Sequence, residues 1–349
     1  MLALRKSAPG FGLALEEVPP AHPPGPGEVV LAVEAAGICG SDVHAYEWTG
    51  GYEFMVPHLP LTMGHEFAGR VARAGTGCGF REGDRVCVNP LVPCGWCAAC
   101  RAWDPRNCLA REGIGLTRDG GFARQVRLPA RACIALPAAV DFELGALAEP
   151  LGIGLEAVRV GEVAVGDTVL VLGPGTIGQA IALMARLAGA ARVLVAGRAD
   201  APRFAVLRGL GFTELLDVAE APLAVQVMDA TGGRPVDVVL EATGDPASLN
   251  EGLAVLRKGG ACVVAGIHAA PLTLPLVEFV RNRHRLLASH GAARDTWDRV
   301  LAHLARAPEA FRPMITHRLP LARAIEGFEL ARQRAAGKVM LRPAEEEQA

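Results

Sequence analysis

Thr168-Val-Leu-Val-Leu-Gly173-Pro-Gly175-Thr-Ile-Gly178 decides how the second half of this chain folds. An uninterrupted apolar run of this length, closed by glycine, reads as a strand buried on both faces. The segment after it, Ile177 to about Leu187, has helical spacing. G-x-G-x-x-G by itself is a weak signal, but placed between a buried strand and a helix it becomes a dinucleotide fingerprint. The first glycine permits the tight turn, the second lets the backbone approach a pyrophosphate, and the third packs helix on strand. Gly173, Pro174, Gly175, Thr176, Ile177 and Gly178 are therefore the expected cofactor-binding turn, with the anion at the helix N-terminus.

Downstream, the pattern repeats as strand, helix, strand through Arg192–Gly197 (RVLVAG), VDVVLEA and ACVVAGI, which predicts a doubly wound parallel sheet over 149–285. About 20 residues past the fingerprint, NAD-binding chains present an acid to the adenosine ribose. Here Gly197 stands near that position and Arg198 follows, an arrangement that favours NADP over NAD by admitting and neutralising a 2′-phosphate. The alternative is that Asp200 still receives the ribose; Arg203 is compatible with either arrangement.

Residues 1–148 read differently. Short β-like runs (GEVVLAVEAAGI, GRVARAG, DRVCVNP, ARQVRLP) are punctuated by Gly and Pro, as in a strand-rich domain with long functional loops. Within it Cys94-Gly-Trp-Cys97-Ala-Ala-Cys100, closed by Cys108, gathers four thiols in fifteen residues, the donor set of a closed structural zinc site. Cys78, Cys87, Cys133 and Cys262 have no such spacing and read as small core residues. Gly37-Ile-Cys39-Gly-Ser41-Asp42-Val-His44 and Gly64-His65-Glu66 offer a thiolate, a hydroxyl, two imidazoles and a carboxylate, each segment weak alone. Residues 286–349 form a mixed stretch with a helix near Thr296 to Ala305, expected to return to the first domain, and end in an acidic tail, Glu345–Ala349, expected to fray.

A chain of 349 residues is long enough for two cored domains. Its 35 basic and 37 acidic residues are interspersed, which gives no footprint for nucleic acid or an anionic membrane and leaves small molecules and sister subunits as expected partners. No apolar run reaches transmembrane length, Glu16 and Glu17 interrupt the place of a signal peptide, and nine cysteines in so long a chain suit metal rather than disulfides, so a cytoplasmic protein is expected.

GICGSDVH, GHEFAG, the cysteine lobe, LAEPLGIGLEAV and the fingerprint occur in the order found in zinc-containing medium-chain dehydrogenases, and the chain resembles them over nearly its full length. The resemblance implies an α/β protein: a GroES-like, strand-rich catalytic domain with two zinc sites, one catalytic and one structural, and a Rossmann nucleotide-binding domain. It implies that Cys39, His65 and either Glu149 or Glu66 hold the catalytic zinc, with Asp42 bracing the loop or orienting a ligand. Ser41 would take the substrate hydroxyl proton and pass it by way of the cofactor ribose toward His44.

Ser41, Glu149 and the late segment Ile315-Thr-His-Arg-Leu-Pro-Leu followed by AIEGF are similar to the sorbitol and polyol branch, though threonine dehydrogenases share several of these features. The implied substrate is a secondary alcohol such as a polyol, sugar alcohol or cyclitol. L-threonine and simple secondary alcohols are the alternatives, and a catalytically inactive nucleotide- and zinc-binding protein is the non-enzymatic one. Ser289-His290-Gly291-Ala292 stands where that branch usually has arginine and tyrosine, which makes His290 a candidate substrate contact. His22, His58, His268, His284, His303 and His317 receive no catalytic role from their surroundings. A homo-oligomer is expected, tetramer before dimer, with strands near 260–285 in contact.

Overall fold

The computed structural model describes residues 1–344; the acidic tail expected to fray lies outside them. Two compact units divide the chain, one of Met1–Glu149 with Leu301–Ala349 and one of Pro150–Val300. Against the expected boundary at 285/286, the second unit thus keeps the strand Arg285–Ala288 and the start of the helix Arg294–Arg306. The reason is pairing: Ala261 to Val264 lie in parallel register with Arg285 to Ala288, so this strand completes the nucleotide sheet.

That sheet runs Leu215–Asp217, Arg192–Gly197, Thr168–Leu172, Val236–Glu241, Leu256–Val264, Arg285–Ala288, all parallel. Val169 to Leu172 and Val193 to Ala196 are buried without alternation, as strands covered on both faces must be. Strand order reverses at Thr168–Leu172, so its carboxyl end, with that of Val236–Glu241, marks the crevice where doubly wound sheets bind ligands. Gly173 adopts φ 103 there, the left-handed geometry that glycine tolerates, and the helix Thr176–Leu187 follows.

The first unit is built on a mixed sheet in the order Cys133–Ala135, Arg85–Val88, Glu66–Ala74, Glu28–Gly37, Lys338–Arg342, Ile315–Pro320, with Gln125–Pro129 also on Glu28–Gly37. The last two strands come from the end of the chain. Met340 is in register with Gly37, and Gly37 with Glu66, so the C-terminal strand arrives beside the GHE segment. Leu31, Phe67, Phe122 and Phe328 belong to the core of this unit.

Candidate functional site

Cys39 ends the approach from the Glu28–Gly37 strand and precedes the short helix Gly40–Glu47. Asp42 on its first turn accepts the Cys39 amide through Oδ2 (3.0 Å), which fixes the thiol at the helix start. After a turn at Gly64 with φ 97, His65 directly precedes the neighbouring strand and Glu66 opens it. The sulfur of Cys39, a ring nitrogen of His65 and a carboxylate oxygen of Glu66 lie within 4.8 Å of one another.

Ligand atoms about 2.0–2.3 Å from a tetrahedral zinc stand about 3.3–3.8 Å apart, inside that bound. Glu66 Oε1 is buried without a hydrogen-bond partner among the described residues, as expected of an oxygen kept for a cation. The other Glu66 oxygen is 2.5 Å from the ammonium of Lys338, which also donates to the Ile38 carbonyl at 2.8 Å. Burial opposes the charge on Lys338, but Glu66, Cys39 and Glu149 outweigh it and raise the ammonium above its ordinary value.

Asp42 Oδ1 sits 3.2 Å from His65 Nδ1, close but without hydrogen-bond alignment. Burial alone would depress the His65 imidazole; the charges of Asp42 and Cys39 overturn this and hold it well above the usual histidine range. On the other side of the ring, Ser41 Oγ is 3.2 Å from Nε2. His44, one turn along the same helix, has Thr49 Oγ1 3.2 Å from its Nδ1, and its ring stacks near the buried Tyr52 at 6.1 Å.

Of the two carboxylates weighed from sequence, Glu66 is in the close cluster and Glu149 is outside it. Glu149 lies on the helix Phe142–Val160 and is 8% exposed. Burial pushes it up to about 7, with His65 and Lys338 opposing and Glu66 and Asp42 reinforcing, so it shares the field of the cluster. Lys338 had no part in the sequence reading. Its only signal there is a lysine opening a strand whose next three residues are apolar, KVMLR.

Cys94, Cys97, Cys100 and Cys108 also converge, with every sulfur within 4.8 Å of the others. Cys94 and Cys100 sulfurs are 3.9 Å apart, against about 3.8 Å along the edge of a tetrahedron with ~2.3 Å zinc–sulfur bonds. The amides of Trp96 and Cys97 point at Cys94 Sγ (3.4 and 3.3 Å), and that of Cys94 at Cys108 Sγ (3.3 Å), a pattern that favours thiolates. Backbone hydrogen bonds at Cys100 and Leu109 pull the Cys97 thiol down to about 6.

In the nucleotide unit, Gly173 to Gly178 form the turn and helix start described above. Gly197 ends the adjacent strand, and a side chain there would meet Pro174 Cγ at 2.7 Å. Arg198 is exposed, while Asp200 is buried and 3.3 Å from Arg203. His290 is exposed in the same unit.

One half of the molecule therefore carries two side-chain clusters that could hold a metal ion and the other a glycine-rich strand-to-helix turn of the dinucleotide-binding kind, the combination that defines a class of metal-binding dehydrogenases. Residues 25–138 match the model of the alcohol dehydrogenase GroES-like domain and residues 176–306 that of the zinc-binding dehydrogenases. L-threonine 3-dehydrogenase of Pyrococcus horikoshii is 33% identical over 97% of this chain and 98% of its own. Sorbitol dehydrogenase of Homo sapiens is 34% identical over 98% and 95%. A dehydrogenase of Sinorhizobium meliloti 1021 crystallised with NADP superposes with TM-score 0.86 at 28% identity, covering 98% of this chain and 99% of that one. The chain belongs to the zinc-binding alcohol dehydrogenase family of oxidoreductases. No helix of the described residues is long and apolar enough to cross a membrane.

Proposed function

We propose that this protein oxidises a secondary alcohol, with a polyol, sugar alcohol or cyclitol as substrate, and prefers NADP to NAD. The observation that carries the reading is the convergence of Cys39, His65 and Glu66 with the Ser41 hydroxyl against the same imidazole. Bound zinc lowers the pKa of an alcohol hydroxyl, and a bound nicotinamide dinucleotide takes up the hydride. Cys39, His65 and Glu66 would hold the catalytic zinc, with Glu149 close by, and Cys94, Cys97, Cys100 and Cys108 the structural one. Ser41, whose Oγ lies 3.2 Å from Nε2 of His65, would receive the substrate proton. His44, with Thr49 at its Nδ1, lies one turn further along the helix and hands the proton outward.

The NADP preference is supported by Gly197, whose contact with Pro174 leaves no room for an acidic side chain, and by the exposed Arg198 beside it. Asp200 is engaged by Arg203 at 3.3 Å, which argues against the alternative in which it receives the ribose. A homotetramer in the cytoplasm completes the proposal. The test is nicotinamide absorbance with polyols, cyclitols, L-threonine and simple secondary alcohols, each with NAD⁺ and NADP⁺. Reduction of NADP⁺ by a polyol supports the reading; turnover of L-threonine alone moves the enzyme to the other branch, and silence with both zincs bound refutes the substrate class.

A further inference from the structure

Glu241 ends the Val236–Glu241 strand at the carboxyl side of the nucleotide sheet and is completely buried. One carboxylate oxygen accepts from the Thr243 amide and hydroxyl, each at 2.5 Å, and from the Gly244 amide at 2.8 Å. The other faces Nε2 of His268 at 2.9 Å. Its backbone carbonyl accepts from the amides of Ala265 and Gly266, at 2.8 and 3.1 Å. Glu241 thus clamps the loop after its own strand to the loop after Leu256–Val264, which carries His268.

This clamp stands beside the fingerprint. The Ala242 amide donates to the Leu172 carbonyl at 2.8 Å, and Ala242 and Thr243 pack against Gly173, 3.1 Å from where a Cβ would stand. The position is the reversal of strand order, where such sheets open their ligand crevice. Nδ1 of His268 is buried there with no hydrogen-bond partner among the described residues. A buried polar atom without a partner calls for a missing one.

At this contact the carboxylate of Glu241 accepts, so Nε2 of His268 carries a proton and Nδ1 is the atom left for a ligand. The pyrophosphate belongs at the Thr176 helix start. The adenosine half belongs on the Arg192–Gly197 side of the reversal, which leaves the Glu241 side for the nicotinamide half. We propose that His268, oriented by Glu241, binds the nicotinamide nucleotide through Nδ1, accepting a hydrogen bond from a ribose hydroxyl or the carboxamide N–H. His268 is then a cofactor-binding residue and Glu241 a positioning residue. The inference rests on the proposed use of a nicotinamide coenzyme.

Binding is measured by calorimetry, without turnover, for NADPH, NADH, the acetylpyridine analogue that lacks the carboxamide N–H, and 2′-phospho-ADP, which lacks the nicotinamide half. His268→Ala is expected to raise the Kd of the preferred dinucleotide about tenfold, the scale of one lost buried hydrogen bond. It should leave 2′-phospho-ADP unchanged, and His268→Gln, which keeps an acceptor, should recover part of the loss. If the acetylpyridine analogue binds wild type and His268→Ala equally, the partner is the carboxamide; an undiminished tenfold loss identifies a ribose hydroxyl. Nitrogen-15 spectra of the imidazole should report Nε2–H in wild type and a mixed tautomer population in Glu241→Gln. Equal Kd values for the dinucleotides in wild type and His268→Ala, or an equal loss for 2′-phospho-ADP, would overturn the assignment. A wild-type chain that binds neither dinucleotide would remove the proposed function as well, which separates the two failures.

Discussion

Replacing Lys338 with methionine keeps most of the buried aliphatic stem and deletes the charge that faces Glu66. Both side chains of the pair are at most 1% exposed, so no solvent replaces the lost ammonium. Breaking a buried pair on one side costs about 3–5 kcal/mol. The destabilisation of Lys338→Met should therefore be near ~4 kcal/mol at pH 7. With about 2–4 °C per kcal/mol for a unit of this size, the expected loss in Tm at pH 7 is roughly 8–16 °C by scanning calorimetry. Zinc at Cys39, His65 and Glu66 would offer the carboxylate a second cation, so the gap should narrow when metal is added. A Tm within about 2 °C of wild type, with and without zinc, would refute the reasoning.

Cys100→Ser should lower the zinc content by one ion per chain, read by elemental analysis, and open the lobe to proteolysis; an unchanged metal count would contradict the four-sulfur site. Glu143 is held by Arg318 at 2.9 Å and Arg342 at 2.8 Å; burial pushes its carboxyl up, but these arginines pull it below the usual range. A carboxyl depressed in the folded state stabilises above its unfolded pKa and loses that contribution as pH falls through its folded value. Glu143→Gln should accordingly cost ~1–2 kcal/mol at pH 7, discounted for half-exposed arginines, and progressively less below about pH 4, as followed by urea unfolding. Arg198→Ala should raise the KM for NADP about tenfold and leave that for NAD within about twofold; equal effects on both would remove Arg198 from the 2′-phosphate.

Features carried by local spacing were legible before any coordinates: Gly173-Pro-Gly175-Thr-Ile-Gly178 lies within one turn, and the four lobe cysteines within fifteen residues. The buried strands of the nucleotide sheet were equally plain, because strands covered on both faces become unbroken apolar runs. Contacts made by the fold itself were not. Lys338 meets Glu66 across 272 positions only because the final strand pairs with Glu28–Gly37, and no local pattern announces such a pairing. Glu66 and Glu149 could not be ranked from sequence for the same reason, since one follows the histidine on a strand and the other comes from a helix. The 285/286 boundary falls inside the strand Arg285–Ala288, because an edge strand of four residues carries little periodicity of its own. His268 drew no role because its meaning depends on Glu241, 27 residues earlier and buried beneath it.

The central claim is that zinc at Cys39, His65 and Glu66 is catalytic while zinc at the cysteine lobe is structural. Graded chelation of the purified protein, with zinc content, alcohol-dependent nicotinamide reduction and circular dichroism followed together, tests it most directly. Activity should disappear with the first zinc to leave, the fold should persist, and added zinc should restore the rate. Full activity after that first ion is lost, or activity that fails only when the protein unfolds, would contradict it.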